Sequence, residues 1–222
     1  MKTYQGLYKH NGVIIPIKLC NNGKELSVEI EGRLFVGSEF TDLTYHGDLF
    51  DLDSSIFTLT DDGYSALCYC QIELFIPQVL SVENGNNKIV DLCLCTTIGA
   101  FDFEKSTITE EAIVLSLSLN EETYIGKGDT IEVAFDQLTM RLPKGETFVN
   151  CYGCLYGDYS VYGNSAFGTM LCFKHVKSEY QAVRGKDEYM DLCEDYSDKL
   201  EVVQEIHCCE SFVMRGCGGA YR

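Results

Sequence analysis

The feature that most constrains this fold is a series of short segments in which apolar and polar residues alternate with a period of two. Residues 115–119 alternate leucine with serine, and residues 66–76 alternate over a longer stretch. The residues that share one side of the longer stretch are Ala66, Cys68, Cys70, Ile72, Leu74 and Ile76. Because successive side chains of a strand point to opposite sides, the pattern predicts strands with one buried face.

Turn-forming residues separate these segments. The β-branched runs at 13–17 and 26–30 flank an Asn-Asn-Gly-Lys sequence, and residues 84–87 lead as a hairpin loop into an apolar run at 89–98. A glycine-containing turn at 126–129 precedes a further predicted strand at 131–135. Short strands with regular turn signals favour an antiparallel β-sandwich. We therefore expect a mainly β fold, with a β-sandwich over residues 1–150.

The last third, residues 151–222, has a different composition. An irregular stretch is filled by two residue types, namely Gly153, Gly157, Gly163 and Gly168 with Tyr152, Tyr156, Tyr159 and Tyr162. A helical period appears later, and the residues on its face are Tyr189, Leu192, Cys193 and Tyr196. Residues 202–206 are predicted to form a strand. We expect a loop-rich α+β segment that packs on the first part and needs a metal to hold it together.

Four cysteines supply the ligands for such a metal. Cys151 and Cys154 form a C-x-x-C pair, and Cys172 and Cys209 follow later in the chain. Four thiolates suit tetrahedral Zn²⁺, and a closed four-sulfur site has a structural role because it leaves no open coordination position. His207 and Cys208 are alternatives for the fourth ligand. The competing interpretation is that these residues are buried thiols that bind no metal.

Twelve cysteines without a signal peptide indicate a reducing compartment, and we expect the cytoplasm. No apolar run is long enough for a transmembrane helix, so no membrane association is expected. A redox role for the C-x-x-C pair is disfavoured because the residues after Cys154 begin a helix poorly. Burial explains Cys68 and Cys70 better than a second metal shared with Cys93 and Cys95.

The net charge of −17 argues against nucleic acid as a partner, since phosphate binding needs clustered lysine and arginine. No basic residue lies between Arg33 and Lys88. The aspartates of this stretch that we assign to a partner-binding surface are Asp42, Asp48, Asp51, Asp53, Asp61 and Asp62. Such a surface would steer a basic protein toward it. The alternative is that the charge only keeps the protein soluble.

An enzymatic site has weaker support, and no catalytic residue is assigned. Residues 163–168 lack the G-x-S-x-G spacing of a nucleophile elbow, and no H-E-x-x-H motif occurs. A hydrolase-like pocket in the loop 158–168 is the alternative hypothesis, because loops often carry function. The residues that would line this pocket are Asp158, Tyr159, Ser160, Arg215 and Arg222. The alternative is that these side chains have no catalytic role and only stabilise the conformation of the loop.

The segment from Cys151 onward carries a set of short motifs. They are Cys151-Tyr152-Gly153-Cys154, Asp158-Tyr159-Ser160-Val161-Tyr162-Gly163, Cys172-Phe173, Gln204-Glu205 with Cys209, and Phe212, Arg215 and Tyr221-Arg222. With these motifs the segment resembles an uncharacterised bacterial family, a domain of unknown function. Val161 stands where that family has proline, and Ala220 is inserted before Tyr221. The resemblance implies an architecture and no reaction.

These observations predict a non-enzymatic protein-binding module with a structural zinc. One concrete version is an immunity-type inhibitor that neutralises a toxin with a basic surface, because a small acidic protein is suited to cover such a surface. The oligomeric state is left open by the sequence.

Overall fold

A computed structural model describes residues 2–22, 24–82, 87–109, 111–161, 167–216 and 221. The chain forms two compact units. The first unit comprises Met1–Ile76 and Asp91–Leu138, and the second comprises Pro77–Val90 and Thr139–Arg222. This division differs from the predicted units 1–150 and 151–222, because the second unit also takes residues from the end of one long strand and the start of the next.

Thirteen described strands precede the first α-helix. They are β1 (Lys2–His10), β2 (Val13–Asn21), β3 (Leu26–Ile30), β4 (Arg33–Gly37), β5 (Thr44–Tyr45), β6 (Thr58–Leu59), β7 (Leu67–Cys68), β8 (Cys70–Ser81), β9 (Asn87–Ile98), β10 (Phe101–Asp102), β11 (Thr107–Ile108), β12 (Glu111–Leu119) and β13 (Glu122–Gly128). The main sheet has the order β13-β12-β9-β8-β1-β2-β3-β4-β5. Two further strand pairs are β6 with β7 and β10 with β11.

The turns of this sheet explain its register. Asn11 and Gly12 join β1 to β2, and both have a positive φ, of 45° and 81°. Asn120 and Glu121 join β12 to β13 in the same way. Two-residue turns with positive φ match the right-handed twist of paired strands, so the hairpins close without a shift in register. The predicted loop at 84–87 lies outside the described residues, apart from its last position.

The predicted alternation is confirmed, with one interruption. Every residue assigned to the apolar side of 66–76 is buried, and Leu115, Leu117 and Leu119 are buried in β12. Tyr69, however, adopts a left-handed conformation with φ of 52° and divides the predicted strand into β7 and β8. Its N–H bonds to the carbonyl of Gly99 at 2.8 Å, which fixes the break.

The predicted strand at 131–135 is wrong, because these residues begin helix α1 (Ile131–Arg141). Thr130 starts the helix by accepting a hydrogen bond from the N–H of Val133 at 3.3 Å. The buried residues of α1 recur at helical spacing and are Ile131, Ala134, Phe135 and Leu138. Residue 126 must be glycine, since a Cβ there would collide with the carbonyl oxygen of Ala134. The expected turn at 126–129 is therefore mostly the end of β13.

The second unit holds short elements. Its further strands and helices are β14 (Thr147–Phe148), β15 (Gly157–Asp158), β16 (Met170–Cys172), α2 (Lys177–Ala182), α3 (Lys186–Asp195) and β17 (Glu201–Val203). β14 pairs with the end of β8, and β15, β16 and β17 form a three-stranded antiparallel sheet in that order. The predicted helix with Tyr189 and Leu192 on its buried face is confirmed as α3. The strand predicted at 202–206 is shorter and ends at Val203.

The structure confirms the mainly β class with antiparallel sheets. The narrower prediction of a β-sandwich stays a prediction. Within the described residues, no helix has both the length and the apolar character needed to cross a membrane.

Candidate functional site

The C-x-x-C pair lies in a tight turn of the second unit. The N–H of Cys154 donates to the carbonyl of Cys151 at 3.2 Å, and the N–H of Gly157 donates to the carbonyl of Cys154 at 3.2 Å. Gly153 allows the turn to lie against the preceding strand, because a Cβ there would collide with the carbonyl oxygen of Phe148. Both cysteines are buried.

Residues 204–215 form a hook that wraps around this turn. The N–H of Cys151 donates to the carbonyl of His207 at 2.8 Å, and the N–H of Leu155 donates to the carbonyl of Val213 at 2.7 Å. The N–H of Arg215 returns to the carbonyl of Gly153 at 2.9 Å. These bonds bring residues 208 and 209 to the turn that carries the first two cysteines.

Cys172 reaches the same region through the three-stranded sheet. It pairs with Gly157, directly after the C-x-x-C turn. Gly157 also lies against the backbone of Cys151, since a Cβ at this position would collide with the carbonyl oxygen of Cys151. The fold therefore brings the strand that carries Cys172 next to the C-x-x-C turn, from which it is well separated in the chain.

The thiols of this cluster interact electrostatically. Burial raises the pKa of the Cys151 thiol, and the charges of Cys172, Cys209, Cys154 and Cys208 raise it further, in that order of size. Burial also raises the pKa of Cys172, although a hydrogen bond from the backbone of Lys174 and the charge of Lys174 oppose the rise. These raised pKa values keep both thiols protonated near neutral pH, so metal binding would require them to release their protons.

No disulfide bond joins the described cysteines. Within the described ranges, no group of three or more His, Cys, Asp or Glu side chains is arranged so that it could hold a metal ion. Zinc binding by these cysteines therefore stays a prediction.

The residues predicted to line a pocket in the loop 158–168 make internal hydrogen bonds instead. Asp158 is buried and accepts a hydrogen bond of 2.5 Å from the hydroxyl of Tyr180. The hydroxyl of Tyr189 donates to the carbonyl of Tyr159 at 2.7 Å. Ser160 is half-buried. Arg222 and residues 162–166 lie outside the described residues.

A second carboxylate, which the sequence did not single out as a site residue, lies beneath this loop. Glu205 has 0% of its surface exposed. One of its oxygens accepts a hydrogen bond of 3.0 Å from the hydroxyl of Tyr159, and the other accepts one of 2.8 Å from the N–H of Gly168. Glu205 therefore ties the two ends of the loop together.

Arg215 binds backbone carbonyls around the C-x-x-C turn. Its guanidinium donates to the carbonyl of Cys154 at 3.3 Å, of Leu155 at 3.1 Å and of Gly157 at 2.7 Å. A planar group with five donors satisfies several carbonyls that a tight turn would leave without partners. This arrangement favours the interpretation that Arg215 and Asp158 hold the loop in place.

The predicted partner-binding aspartates divide into two groups in the first unit. Asp42, Asp48, Asp53 and Asp62 each accept a hydrogen bond from a backbone N–H a few residues away in a turn. Asp51 and Asp61 are exposed. The acidic stretch is thus partly structural, because short side-chain carboxylates stabilise turns by accepting from nearby amides.

A cavity of about 620 Å³ lies within the first unit on this acidic stretch. Its lining includes the carboxylates of Glu39, Asp42 and Asp62, and it also includes His46 and Tyr64. The pKa of Glu111 is raised by partial burial and by the like charges of Glu39 and Asp129. Excess negative charge is therefore concentrated on this part of the first unit.

An exposed aromatic residue, which the sequence pattern gave no reason to single out, lies on the same stretch. The side chain of Phe50 has 98% of its surface exposed. It sits in the single-turn helix Leu49–Asp51, where Leu49 is also exposed. The sequence gives one indication of this exposure. It is a Leu-Phe pair flanked by aspartates, in a segment that has neither strand nor helix periodicity.

Four further cysteines lie in neighbouring strands of the first unit, and burial had been predicted for two of them. Cys68 and Cys70 are buried, as expected from their side of the strand. Cys93 and Cys95 are half-buried, and burial followed by the charge of Glu73 raises the pKa of each. Lys9 forms an ion pair with Glu73 beside them.

Comparison with known proteins gives a family. A model for a family of unknown function, DUF6304, matches residues 2–157. The matched range includes the C-x-x-C pair and ends before Asp158, so the later motifs fall beyond it. No curated protein matches the chain, and no solved structure matches it. Because the match covers more than half of the sequence, the chain belongs to DUF6304, a family of unknown function.

Proposed function

We propose that this protein is a non-enzymatic binding module whose acidic surface receives a basic surface of another protein. The observation that carries the proposal is the almost complete exposure of Phe50 among aspartates. Leu49 is exposed beside Phe50, and aromatic residues often supply much of the energy of protein interfaces.

The turn that presents Phe50 is held in place. The carboxylate of Asp48 accepts from the N–H of Phe50 at 3.0 Å, and the N–H of Leu52 donates to the carbonyl of Leu49 at 3.3 Å. Arg33 fixes the end of the turn by donating to the carbonyl of Asp51 at 2.8 Å. A side chain that is already positioned loses less conformational freedom on binding.

The negative charge around Phe50 favours a partner with a basic surface. Asp51 and Asp53 are exposed beside it, and no lysine or arginine occurs between Arg33 and Lys88. Negative charge of this kind accelerates encounter with a basic protein and disfavours acidic ones. An immunity-type inhibitor of a basic toxin fits this description. The main sheet and the small strand pairs would serve as its sandwich-like scaffold.

The test compares proteins captured from a native lysate by the wild type with those captured by Phe50→Ser. Ile14→Ser is the matched control, because Ile14 is also exposed in the first unit but lies on the regular strand β2. We expect one basic protein that the wild type and the control retain, that Phe50→Ser loses, and whose affinity falls steeply with salt. Equal capture by all three variants, or affinity independent of salt, contradicts the proposal.

We also propose that the cysteine cluster of the second unit holds a structural zinc ion. The support is the set of backbone hydrogen bonds and strand pairs that join the C-x-x-C turn to His207 and to the strand of Cys172. The absence of a disulfide bond among the described cysteines suits a reducing compartment such as the cytoplasm. Elemental analysis of protein expressed with zinc should give one zinc per chain, and a value near zero would contradict the proposal.

A hydrolase-like activity in the loop 158–168 has less support. Asp158, Tyr159 and Arg215 are already hydrogen-bonded within the protein. Groups committed to internal hydrogen bonds must give them up before they can act on a substrate, and leaving buried partners unsatisfied costs free energy.

A further inference from the structure

A strained tyrosine lines a second cavity of the first unit. Tyr69 has a φ of 52°, and 55% of its surface is exposed. The cavity has a volume of about 440 Å³, and its lining shares no residue with the proposed acidic surface. We infer that this cavity binds a neutral carbohydrate, and that the side chain of Tyr69 is the platform on which a sugar ring stacks.

The backbone of Tyr69 adopts a conformation that its side chain disfavours. Among the described residues, the others with a positive φ are glycines, asparagines, glutamates and serines. A bulky residue is rare in the left-handed region, because its Cβ approaches the backbone too closely. Glycine would adopt the same φ without this cost. Strained residues are concentrated at functional sites, so a tyrosine at this position indicates a role for its ring.

The ring of Tyr69 is supported by other aromatic rings. The ring of His10 meets it edge-on, with 6.2 Å between the two centroids. His10 is stacked in turn with Tyr8 at 6.4 Å, and Tyr8 contacts Phe57 at 6.1 Å. His10 is buried, and its Nε2 lies 2.8 Å from the hydroxyl of Thr58. These contacts hold the Tyr69 ring in one position, so little conformational freedom is lost when a ligand binds.

Amide and hydroxyl groups form much of the remaining lining. They belong to Asn11, Gln71, Thr97 and Thr109. The amide nitrogen of Gln71 donates to the hydroxyl of Thr97 at 3.1 Å. An amide carries two donor hydrogens and an acceptor oxygen, so this bond leaves capacity for a ligand. Amides and hydroxyls both donate and accept hydrogen bonds, and they therefore match the hydroxyls of a sugar.

The charge of this cavity differs from that of the acidic cavity described above. Its described lining contains no aspartate or glutamate, although the chain has a net charge of −17. Lys9 belongs to the lining and forms an ion pair with Glu73. A cationic ligand would find no carboxylate in this lining, and an anionic ligand would compete with Glu73 for Lys9. The lining therefore favours a neutral ligand.

The size and the mixed polarity of the cavity also agree with a sugar. Small-molecule sites have volumes of about 300–1,000 Å³, so this cavity suits a mono- or disaccharide. One face of a pyranose ring presents C–H groups that pack on an aromatic ring, whereas its edge carries hydroxyls. Tyr69 supplies the aromatic surface, and the amides and hydroxyls belong to the same lining. A wholly apolar ligand would leave those polar groups without partners, which costs free energy.

The experiment is saturation-transfer NMR on the full chain. The probes are methyl β-glucopyranoside, methyl β-galactopyranoside, methyl α-mannopyranoside and N-acetylglucosamine, with uridine as an aromatic competitor. We expect the wild type to transfer magnetisation to the C–H groups of at least one pyranoside. Tyr69→Gly should weaken its binding by about tenfold or more, and Tyr69→Phe should retain it. Tyr64→Gly is the matched control, because Tyr64 is also exposed in the first unit but lines the other cavity.

A stability measurement separates a ligand-binding role of Tyr69 from a structural role. We expect the midpoint of urea denaturation of Tyr69→Gly to equal or exceed that of the wild type, because glycine adopts a positive φ without strain. A lower midpoint together with unchanged sugar binding would assign the ring a structural role and contradict the inference.

Three results of the binding experiment overturn the inference. They are that no pyranoside binds the wild type, that uridine binds in preference to the pyranosides, or that Tyr69→Gly binds as tightly as the wild type. A second measurement covers the case in which Tyr69→Gly does not fold. When the sugar is added to the wild type, amide chemical shifts should change in residues 9–12, 69–71, 97–100 and 109. Changes confined to other residues would show that the sugar binds elsewhere and would contradict the site.

Discussion

The two units of this protein are built on different principles. The first unit gains its order from alternation, since long strands bury one row of aliphatic side chains and their turns close by backbone geometry alone. The second unit has strands of two or three residues, and its interior contains tyrosine hydroxyls, carboxylates and an arginine joined by hydrogen bonds. Burial of aliphatic side chains stabilises the first unit, whereas the second unit combines a core rich in aromatic residues with particular polar contacts.

Removal of the proposed zinc ion should give the largest effect, because it would act on the second unit and leave the first unit unchanged. Structural zinc contributes about 10 kcal/mol to small metal-held domains, so its loss should unfold the segment around the C-x-x-C turn. We expect a chelator, or Cys151→Ser, to abolish protection of backbone amides in residues 151–158 and 207–215 in hydrogen exchange.

In the same hydrogen-exchange measurement, amides of β1 and β2 should remain protected. Cys93→Ser is the control, because Cys93 is a half-buried thiol of the first unit. Equal loss of protection in β1 and β2 would show that the two units do not differ in this respect.

The aliphatic face of the first unit is tested by Leu74→Ala. Leu74 is fully buried in β8, so truncation removes apolar contacts and leaves a cavity. We expect a loss of about 2–5 kcal/mol in the free energy of unfolding, measured by urea denaturation. Phe75→Ala, on the exposed side of the same strand, should cost less than about 1 kcal/mol. Similar losses for both variants would contradict the one-sided burial of this strand.

A polar contact of the second unit is tested by Glu205→Gln. The substitution keeps the shape of the side chain but replaces one charged acceptor by a donor that faces Tyr159 or Gly168. We expect a loss of about 1–3 kcal/mol, because a buried group is left with an unsuitable partner. Glu210→Gln, at an exposed site in the same segment, is the control and should be neutral. A neutral Glu205→Gln would show that this carboxylate does not hold the loop.

The smallest expected effect concerns pH. Burial, followed by the negative charge of Asp158, raises the pKa of Tyr180 above its usual value of 10. The unfolded chain then loses this proton at lower pH than the folded one, so stability is retained below about pH 10 and falls above it by about 1.4 kcal/mol per pH unit for each such group. Urea denaturation of the wild type and Tyr180→Phe between pH 8 and 11 should show a shallower fall for the variant. Identical slopes would contradict this role of Tyr180.

Much of the first unit was predictable from the sequence, because strand periodicity and turn composition depend on residues that are close in the chain. Period-two alternation identified the buried side of β8 and β12, and the Asn-Asn-Gly-Lys sequence marked the connection between the antiparallel strands β2 and β3. The prediction failed at 131–135, where β-branched and aromatic residues resemble a strand over five positions. The helical spacing of the buried residues becomes visible only over eight positions, at Ile131, Ala134, Phe135 and Leu138.

The candidate site of the second unit was predictable in part. Cysteine spacing singled out Cys151, Cys154 and Cys172, which the fold places on neighbouring backbone segments, and zinc binding there stays a prediction. The function of Glu205 was not predictable, because a buried carboxylate is specified by partners 37 and 46 positions away. The exposure of Phe50 was equally hidden, since an aromatic residue in an irregular segment is more often buried.

The hook of residues 204–215 has a consequence for how the chain is synthesised. The hook joins Arg215 to Cys154, and these residues are separated by 61 positions. The turn with the first two cysteines is therefore synthesised well before the hook that covers it. During that interval the thiols of Cys151 and Cys154 are accessible to oxidants and to competing metals. Closure over such a span is also slow, since distant contacts lose more chain entropy before they form. Until residues 204–215 have been made, the C-x-x-C turn therefore lacks the backbone and arginine hydrogen bonds that hold it in the folded protein.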